Sequence, residues 1–319
     1  MIFKHILMCR PKYFDVIHYK LNNHMIMKNK VVRNEALNQW YNLYDSIRKC
    51  DVKIDFIKPK KNLVDMVFVA NAGLIYDEKA IISNFNAIPR KNESKYYDNY
   101  FKKNYYEVFN SPIEFEGAGD ALFSHNRKHL WMAHGFRSDK NAKYFVSNIL
   151  CDNDLDIHSL KLVDPFWYHL DTCFCPIGLD NVMLYEGAFD KESLDKIYEV
   201  FGENKCIKVS EEDARNFACN SVSLKSNPFS DYTLATIIGN KFTEDLKMKL
   251  ENLNYKVVEC DMSQFLLSGG SVKCCILDIE KSFKYYPYYY SSITNNVPDT
   301  KNNDENLKSM LFGPKLVYN

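Results

Sequence analysis

The chain has 319 residues, and its 41 Lys+Arg balance 41 Asp+Glu to a formal net charge of zero. That balance gives no bulk attraction to nucleic acid or to an anionic membrane surface, and no apolar run is long enough to span a bilayer. The length fits one large domain or two small ones and is enough to bury a sizeable core. Ten cysteines are scattered without the density of a disulfide scaffold, which predicts free thiols in a reducing, cytosolic compartment.

The start, "MIFKHILMCRPKYF", has too short an apolar run and no small-residue cleavage site for a secretory signal. In "ALNQWYNLYDSIRKC", Leu37, Trp40, Tyr44 and Ile47 recur at helical spacing, and "DVKIDFI" then alternates as a strand. "ESLDKIYEVFG" puts Leu194, Ile197 and Phe201 on one helix face, with Gly202 where a helix would end, before a strand "KCIKV". "TEDLKMKLENLNYKVVEC" carries Leu246, Leu250 and Leu253 on one stripe, with Thr243 as a candidate N-cap. From about Lys281 the chain becomes Tyr-, Asn- and Pro-rich without periodicity. Residues 281–319 read as a poorly ordered extension, with "MLFGPKLVY" as a segment that could dock back, beside one catalytic domain over 1–280.

Five segments share a form, small or polar residues followed by a short apolar strand: "DMVFVANAGLIY", "EFEGAGDALF", "WYHLDTCFCPI", "FACNSVSL" and "SGGSVKCCILDI". Their polar centres, Asn71, Glu116, His169, Asn220 and Cys274, stand 45, 53, 51 and 54 residues apart. A period near 50 marks a repeat architecture. Each unit reads helix, strand, turn, site strand, and five α/β units closed in a ring would form a propeller with no exposed sheet edge. An ordinary open α/β sheet is the competing arrangement.

The centres carry residue types that can do covalent chemistry. A thiolate is the reactive form of cysteine and is favoured by nearby positive charge, which Lys273 could supply to Cys274. Gly269 and Gly270 permit close backbone approach to a ligand. Taken alone, both Cys274 and Cys275 read equally as small core residues. In "HLD", His169 and Asp171 would share a strand face and form an acid/base pair, although a satisfied structural histidine fits the motif as well. Glu116 and Asp120 in "EGAGD" could hold a cation or orient His169. Asn71 and Asp65 flank a turn, where asparagine is a common turn former. Arg90 and Arg137 are the candidates to grip a carboxylate. Zinc would need ligands among Cys173, Cys175, Cys274, Cys275 and His169, but no CxxC pair is present and "TCFCP" reads as a buried strand, so no metal is expected. Nucleophile, base and orienting carboxylate are the parts that covalent catalysis requires.

The strings "VDMVFVANAGLIY", "FEGAGDALF", "GFRSD", "LVDPFWYHLDTCFCP", "FACNSV" and "FLLSGGSVKC" resemble the guanidino-group-modifying superfamily, in particular its dimethylarginine-hydrolase-like branch of amidinotransferases, which includes arginine dihydrolases. The resemblance runs from about Leu7 to about Ile279. It implies a five-bladed α/β propeller, the pentein fold. It also implies Cys274 as nucleophile with Cys275 turned away, His169 as acid/base and Glu116 as its orienting carboxylate. Asp171 and Asp120 would meet a guanidinium, and Arg137, with Arg90 as a weaker match, would take the substrate α-carboxylate. Deiminases and dimethylarginine hydrolases carry Asp where this chain has Asn71. An Asn can donate as well as accept, so it could also hold a neutral ureide. The implied activity is hydrolysis of L-arginine to ornithine, carbon dioxide and ammonia, with no metal or organic cofactor. Citrulline-forming hydrolysis of arginine or methylarginine, amidino transfer, and an inactive amino-acid-binding propeller are the alternatives. The partner is a small guanidino substrate rather than nucleic acid or membrane, and a homo-oligomer is compatible with the sequence.

Overall fold

Fifteen short strands pair into five three-stranded sheets in this computed structural model, which describes residues 4–17, 24, 30–50, 52–124, 127–224 and 235–280. The predicted tail over 281–319 lies outside the described residues. Strands β1 (His5–Cys9) and β2 (Lys53–Ile57) flank helix α1 (Arg33–Arg48) in the chain. The next unit holds β3 (Gly73–Tyr76), β4 (Lys79–Ile82), α2 (Ser94–Lys103) and β5 (Glu107–Asn110). It is followed by β6 (Ala121–Phe123), β7 (His129–His134), α3 (Ala142–Leu150) and β8 (Asp156–Lys161). Then come β9 (Phe174–Ile177), β10 (Asn181–Leu184), α4 (Lys191–Phe201) and β11 (Cys206–Lys208). A short α5 (Glu211–Arg215) leads to β12 (Val222–Leu224), β13 (Ala235–Gly239), α6 (Glu244–Asn252) and β14 (Tyr255–Glu259). α7 (Ser263–Leu266) and β15 (Leu277–Asp278) complete the described chain.

One pairing rule repeats in all five sheets. The first strand runs antiparallel to the central strand, and the central strand runs parallel to the third across an intervening helix, the crossover that parallel pairing demands. The fifth sheet obeys the rule with its parts at both chain ends, because β15 pairs antiparallel with β1, Leu7 opposite Leu277, while β1 pairs parallel with β2.

The central strand is the element missing from the repeat expected from the sequence. It is the return arm of a hairpin. Only Asp77 and Glu78 separate β3 from β4, and Asp77 adopts φ 53°, the left-handed conformation that tight hairpin turns use. Site strand and return arm therefore read as one apolar run. The three expected helices form with their buried faces adjusted: in α4 Ile197 is fully buried, whereas Leu194 and Phe201 are half-buried. In α1 the fully buried stripe is Ala36, Trp40, Leu43 and Ile47, whereas Leu37 and Tyr44 are half-buried. Thr243 caps α6, its hydroxyl accepting from Leu246 N at 3.3 Å, but Leu253 lies past the helix end and is 38% exposed. Among the described residues no helix is long and apolar enough to cross a membrane.

What positions the site is the turn before each first strand. Four of these are short helical turns, Val69–Ala72, Gly117–Gly119, Leu170–Thr172 and Lys273–Cys275, leading into β3, β6, β9 and β15. The fifth, ahead of β12, is held by Asn220 N donating to Phe217 O at 2.9 Å. The polar centres thus sit on turns rather than in strands.

Candidate active site

These turns are tied to one another by side chains and backbone. Asn71 Nδ2 donates to Glu116 O at 3.4 Å, and Leu170 N donates to Asp120 Oδ1 at 3.1 Å. Asn220 Nδ2 donates to Asp171 O at 3.0 Å, and Lys273 N donates to Asn220 O at 3.1 Å. The Lys273–Cys275 turn in turn packs on the Val69–Ala72 turn. Around this junction lies a small pocket. It is lined by Asp65, Asn71, Arg90, Arg137, His169 and Cys274, together with Phe68, Tyr168, Ser268 and Gly270. Of the other predicted residues, Glu116 and Asp120 stand behind that wall and Asp171 adjoins it through Cys274 Sγ, each at most 1% exposed.

His169 Nε2 lies 2.8 Å from Glu116 Oε2, and Arg137 Nη1 donates to the same oxygen at 2.9 Å. Burial opposes charge on Glu116, but Arg137 and the His169 hydrogen bond outweigh it and hold the carboxyl well below the usual carboxylate range. An ionised carboxylate only accepts, so Nε2 carries its proton toward Glu116, and Nδ1 is the ring nitrogen left to exchange one. The partner of His169 is therefore Glu116, not the Asp171 that lies two residues on. The "HLD" segment is a turn, and the strand argument for one shared face does not apply to it.

Cys274 is buried and faces Asp171, its Sγ donating to Oδ2 at 3.4 Å. Burial first, then the Asp171 and Cys275 charges, push the thiol well above its ordinary value, while the Ser271 backbone and Asn220 act against them. The unliganded thiol is thus neutral, and a bound cation would favour its ionisation. Lys273, expected to help, is turned away, its ammonium 3.4 Å from Asp278 Oδ2. Asp171 is itself pushed up to about 7 by burial, with Oδ1 lacking a hydrogen-bond partner among the described residues.

Asn71 is held in one orientation. Arg90 Nη1 donates to its Oδ1 at 2.6 Å, which occupies the acceptor and leaves N–H as the group Asn71 can present. The rest of Arg90 is largely committed as well, to Glu93 Oε1 at 3.0 Å and Oε2 at 2.8 Å, and to Asp65 O and Phe68 O at 3.2 and 3.0 Å. Arg137 is stacked over Tyr168, 4.6 Å from its ring centroid. Asp65 is buried with neither oxygen hydrogen-bonded among the described residues, and burial pushes it up to about 7.

Asp120 does not reach the pocket. Its oxygens accept from Ser138 Oγ at 2.6 Å and Leu170 N at 3.1 Å, so it joins the second and third turns instead of awaiting a ligand. Cys175 likewise serves the core, its Sγ donating to Ser221 O at 3.3 Å. The reading by residue type passed over Glu93, Ser138 and Asn220 as site groups. Asn220 alone had left a signal, as the fourth polar centre.

The geometry brings a cysteine thiol, a histidine–glutamate couple, two arginines and a buried carboxyl without a hydrogen-bond partner among the described residues to one small pocket. Known proteins resemble this chain in sequence and fold. The family model described as eukaryotic N,N dimethylarginine dimethylhydrolase matches residues 10–281. A bifunctional arginine dihydrolase/ornithine cyclodeaminase, ArgZ of Synechocystis sp., is 38% identical over 277 residues, 86% of this chain and 37% of that protein. Its Nostoc sp. counterpart AgrE is 36% identical over 276 residues with the same coverage. The chain thus spans 37% of the length of these two relatives. The solved N-terminal domain of ArgZ, an arginine dihydrolase bound to substrate, superposes with a TM-score of 0.80 at 37% identity, over 87% of this chain and 98% of that one.

Proposed function

The chain belongs to the dimethylarginine dimethylhydrolase family of guanidino-group hydrolases, and from that footing we propose that it is an arginine dihydrolase, converting L-arginine to L-ornithine, carbon dioxide and ammonia. The observation that carries this reading is the meeting of Cys274, His169 and Asn71 on one pocket wall, with Asn71 presenting a donor. Five sheets closed into a propeller would hold them there. The contact of each turn with the next and the β15–β1 pairing support that closure.

In this mechanism Asp171 takes the guanidinium beside the sulfur, and Arg137 with Arg90 takes the α-carboxylate. Asp65, unpartnered beside them, suits the α-ammonium. The guanidinium charge favours the Cys274 thiolate, the thiol proton passes to His169 Nδ1, and the thiolate attacks the guanidino carbon. His169 gives its proton to the leaving ammonia, and a thiouronium ester forms. Water that has lost a proton to His169 attacks it, the C–S bond breaks, and citrulline forms on a restored thiol. The ureide oxygen of citrulline needs a donor, and the Asn71 N–H supplies one. A second attack by Cys274 then expels the other ammonia, and hydrolysis of the thiocarbamate leaves a carbamate that loses carbon dioxide to give ornithine.

Product analysis of the full chain with L-arginine tests this. Ornithine with about two ammonia per arginine, abolished in Cys274→Ser while binding persists, is expected from two covalent cycles. Citrulline with one ammonia would make the chain a deiminase. Turnover of methylated arginines alone would make it a dimethylarginine hydrolase, and binding without turnover an inactive propeller.

A further inference from the structure

We propose that Asn220 is a catalytic residue whose carboxamide N–H is the fixed hydrogen-bond donor to the sulfur of Cys274, holding the thiolate as it forms. This rests on the reading of Cys274 as nucleophile. Asn220 belongs to a different sheet unit from both Cys274 and Asp171 and is fully buried between them. Its Nδ2 stands 3.2 Å from Cys274 Sγ and 3.0 Å from Asp171 O, and its Oδ1 accepts from Cys274 N at 3.3 Å.

Only one orientation of the amide satisfies these partners. The Asp171 carbonyl can only accept and the Cys274 backbone N–H can only donate, so the NH₂ end must face Asp171 O. One hydrogen serves that carbonyl and the other is left for the sulfur. Two of the three bonds would suffice to join the turns. The third is aimed at the reacting atom. A donor fixed before the reaction stabilises charge without reorganising when it appears. The adjacent cation cannot take this part, because Lys273 is engaged with Asp278. The titratable and charged groups around the sulfur are Asp171 and Cys275, and on the shared pocket wall His169, Asp65, Arg90 and Arg137.

The test is the pH dependence of Cys274 alkylation by iodoacetamide in the full chain, read by mass at the Cys274 peptide, for wild type and Asn220→Asp. An ionised Asp has no donor. A neutral Asp has one hydrogen, and the Asp171 carbonyl competes for it. The alkylation midpoint is expected to rise by about one pH unit or more. kcat for arginine should fall about a hundredfold, the scale of losing one preorganised donor, with KM little changed. A folded Asn220→Asp with the wild-type midpoint overturns the proposal. Should that variant not fold, Asn220→Ser, too short to span both partners, is read in the same way. If neither folds, Asn220 is a framework residue and the assignment falls. Alkylation needs no substrate. A shifted midpoint in a protein that turns over no guanidine would sink the hydrolase reading alone, and turnover with an unshifted midpoint would sink Asn220 alone.

Discussion

Asn71 differs from an aspartate at the same place by one hydrogen-bonding face. Arg90 holds its oxygen, and the pocket is offered an N–H. In Asn71→Asp the Arg90 contact would survive while the pocket met a second acceptor, unfavourable for a ureide oxygen. Citrulline turnover is expected to fall roughly ten- to a hundredfold, the 1–3 kcal/mol of an unmade buried hydrogen bond, with arginine still consumed. Equal losses on both substrates would contradict this division. Two carboxyls add a pH signature. Burial pushes both Asp65 and Asp171 from the usual 3.8 up to about 7. For an acid whose folded pKa is raised, the stability it contributes is complete below the unfolded value and lost as pH rises through the folded one. Thermal melting of the unliganded protein should therefore decline from about pH 4 to pH 8, and Asp65→Asn should flatten the decline. An unchanged slope in that variant would show that Asp65 ionises at no cost. These identities could be read from the chain. The orientation of Asn71 could not, because it depends on an arginine 19 residues away.

The helical turn of "EGAGD" shows why an element needs its glycines. Gly117 has φ +58°, and a Cβ there would lie 2.6 Å from Gly73 N, so the turn packs directly on the start of β3. A Cβ on Gly119 would lie 2.1 Å from Asn71 Nδ2 and 3.4 Å from His169 Cγ. Gly117→Ala is thus expected to lower the melting temperature. Gly119→Ala should leave folding largely intact and cost turnover, because its obstacle is a side-chain amide of the site. Circular dichroism melts paired with kcat check the contrast, and equal melting losses would refute it. At this scale the helices α1, α4 and α6 and the third strands β2, β11 and β14 were legible from periodicity, whereas α2, α3, β5 and β8 were not read. The central strands were not, since a hairpin turn as short as Asp77–Glu78 leaves little break in an apolar run. Nor were the turns that carry the site residues, because a few residues are too short a window for any period to register.

Across the whole molecule, β1 holds both β2 and β15, and Ile6, Leu7 and Met8 have no solvent exposure. Removing residues 1–9 should abolish the cooperative urea transition together with activity, because β15 starts two residues after Cys275 and would lose its partner. Urea is the suitable denaturant, since guanidinium resembles the proposed substrate headgroup. A truncated chain with an unchanged midpoint would show that β1 is dispensable. The spacing of five polar centres already implied the repeat and named Cys274, His169, Glu116 and Asn71, because a side chain needed once per unit recurs with the unit. That Asp171 does not pair with His169, that Asp120 and Lys273 face away, and that Asn220 reaches the sulfur were decided only when the turns met. Those contacts join residues 53, 103 and 54 positions apart, and local periodicity carries no information about which side chains share a junction that only tertiary packing creates.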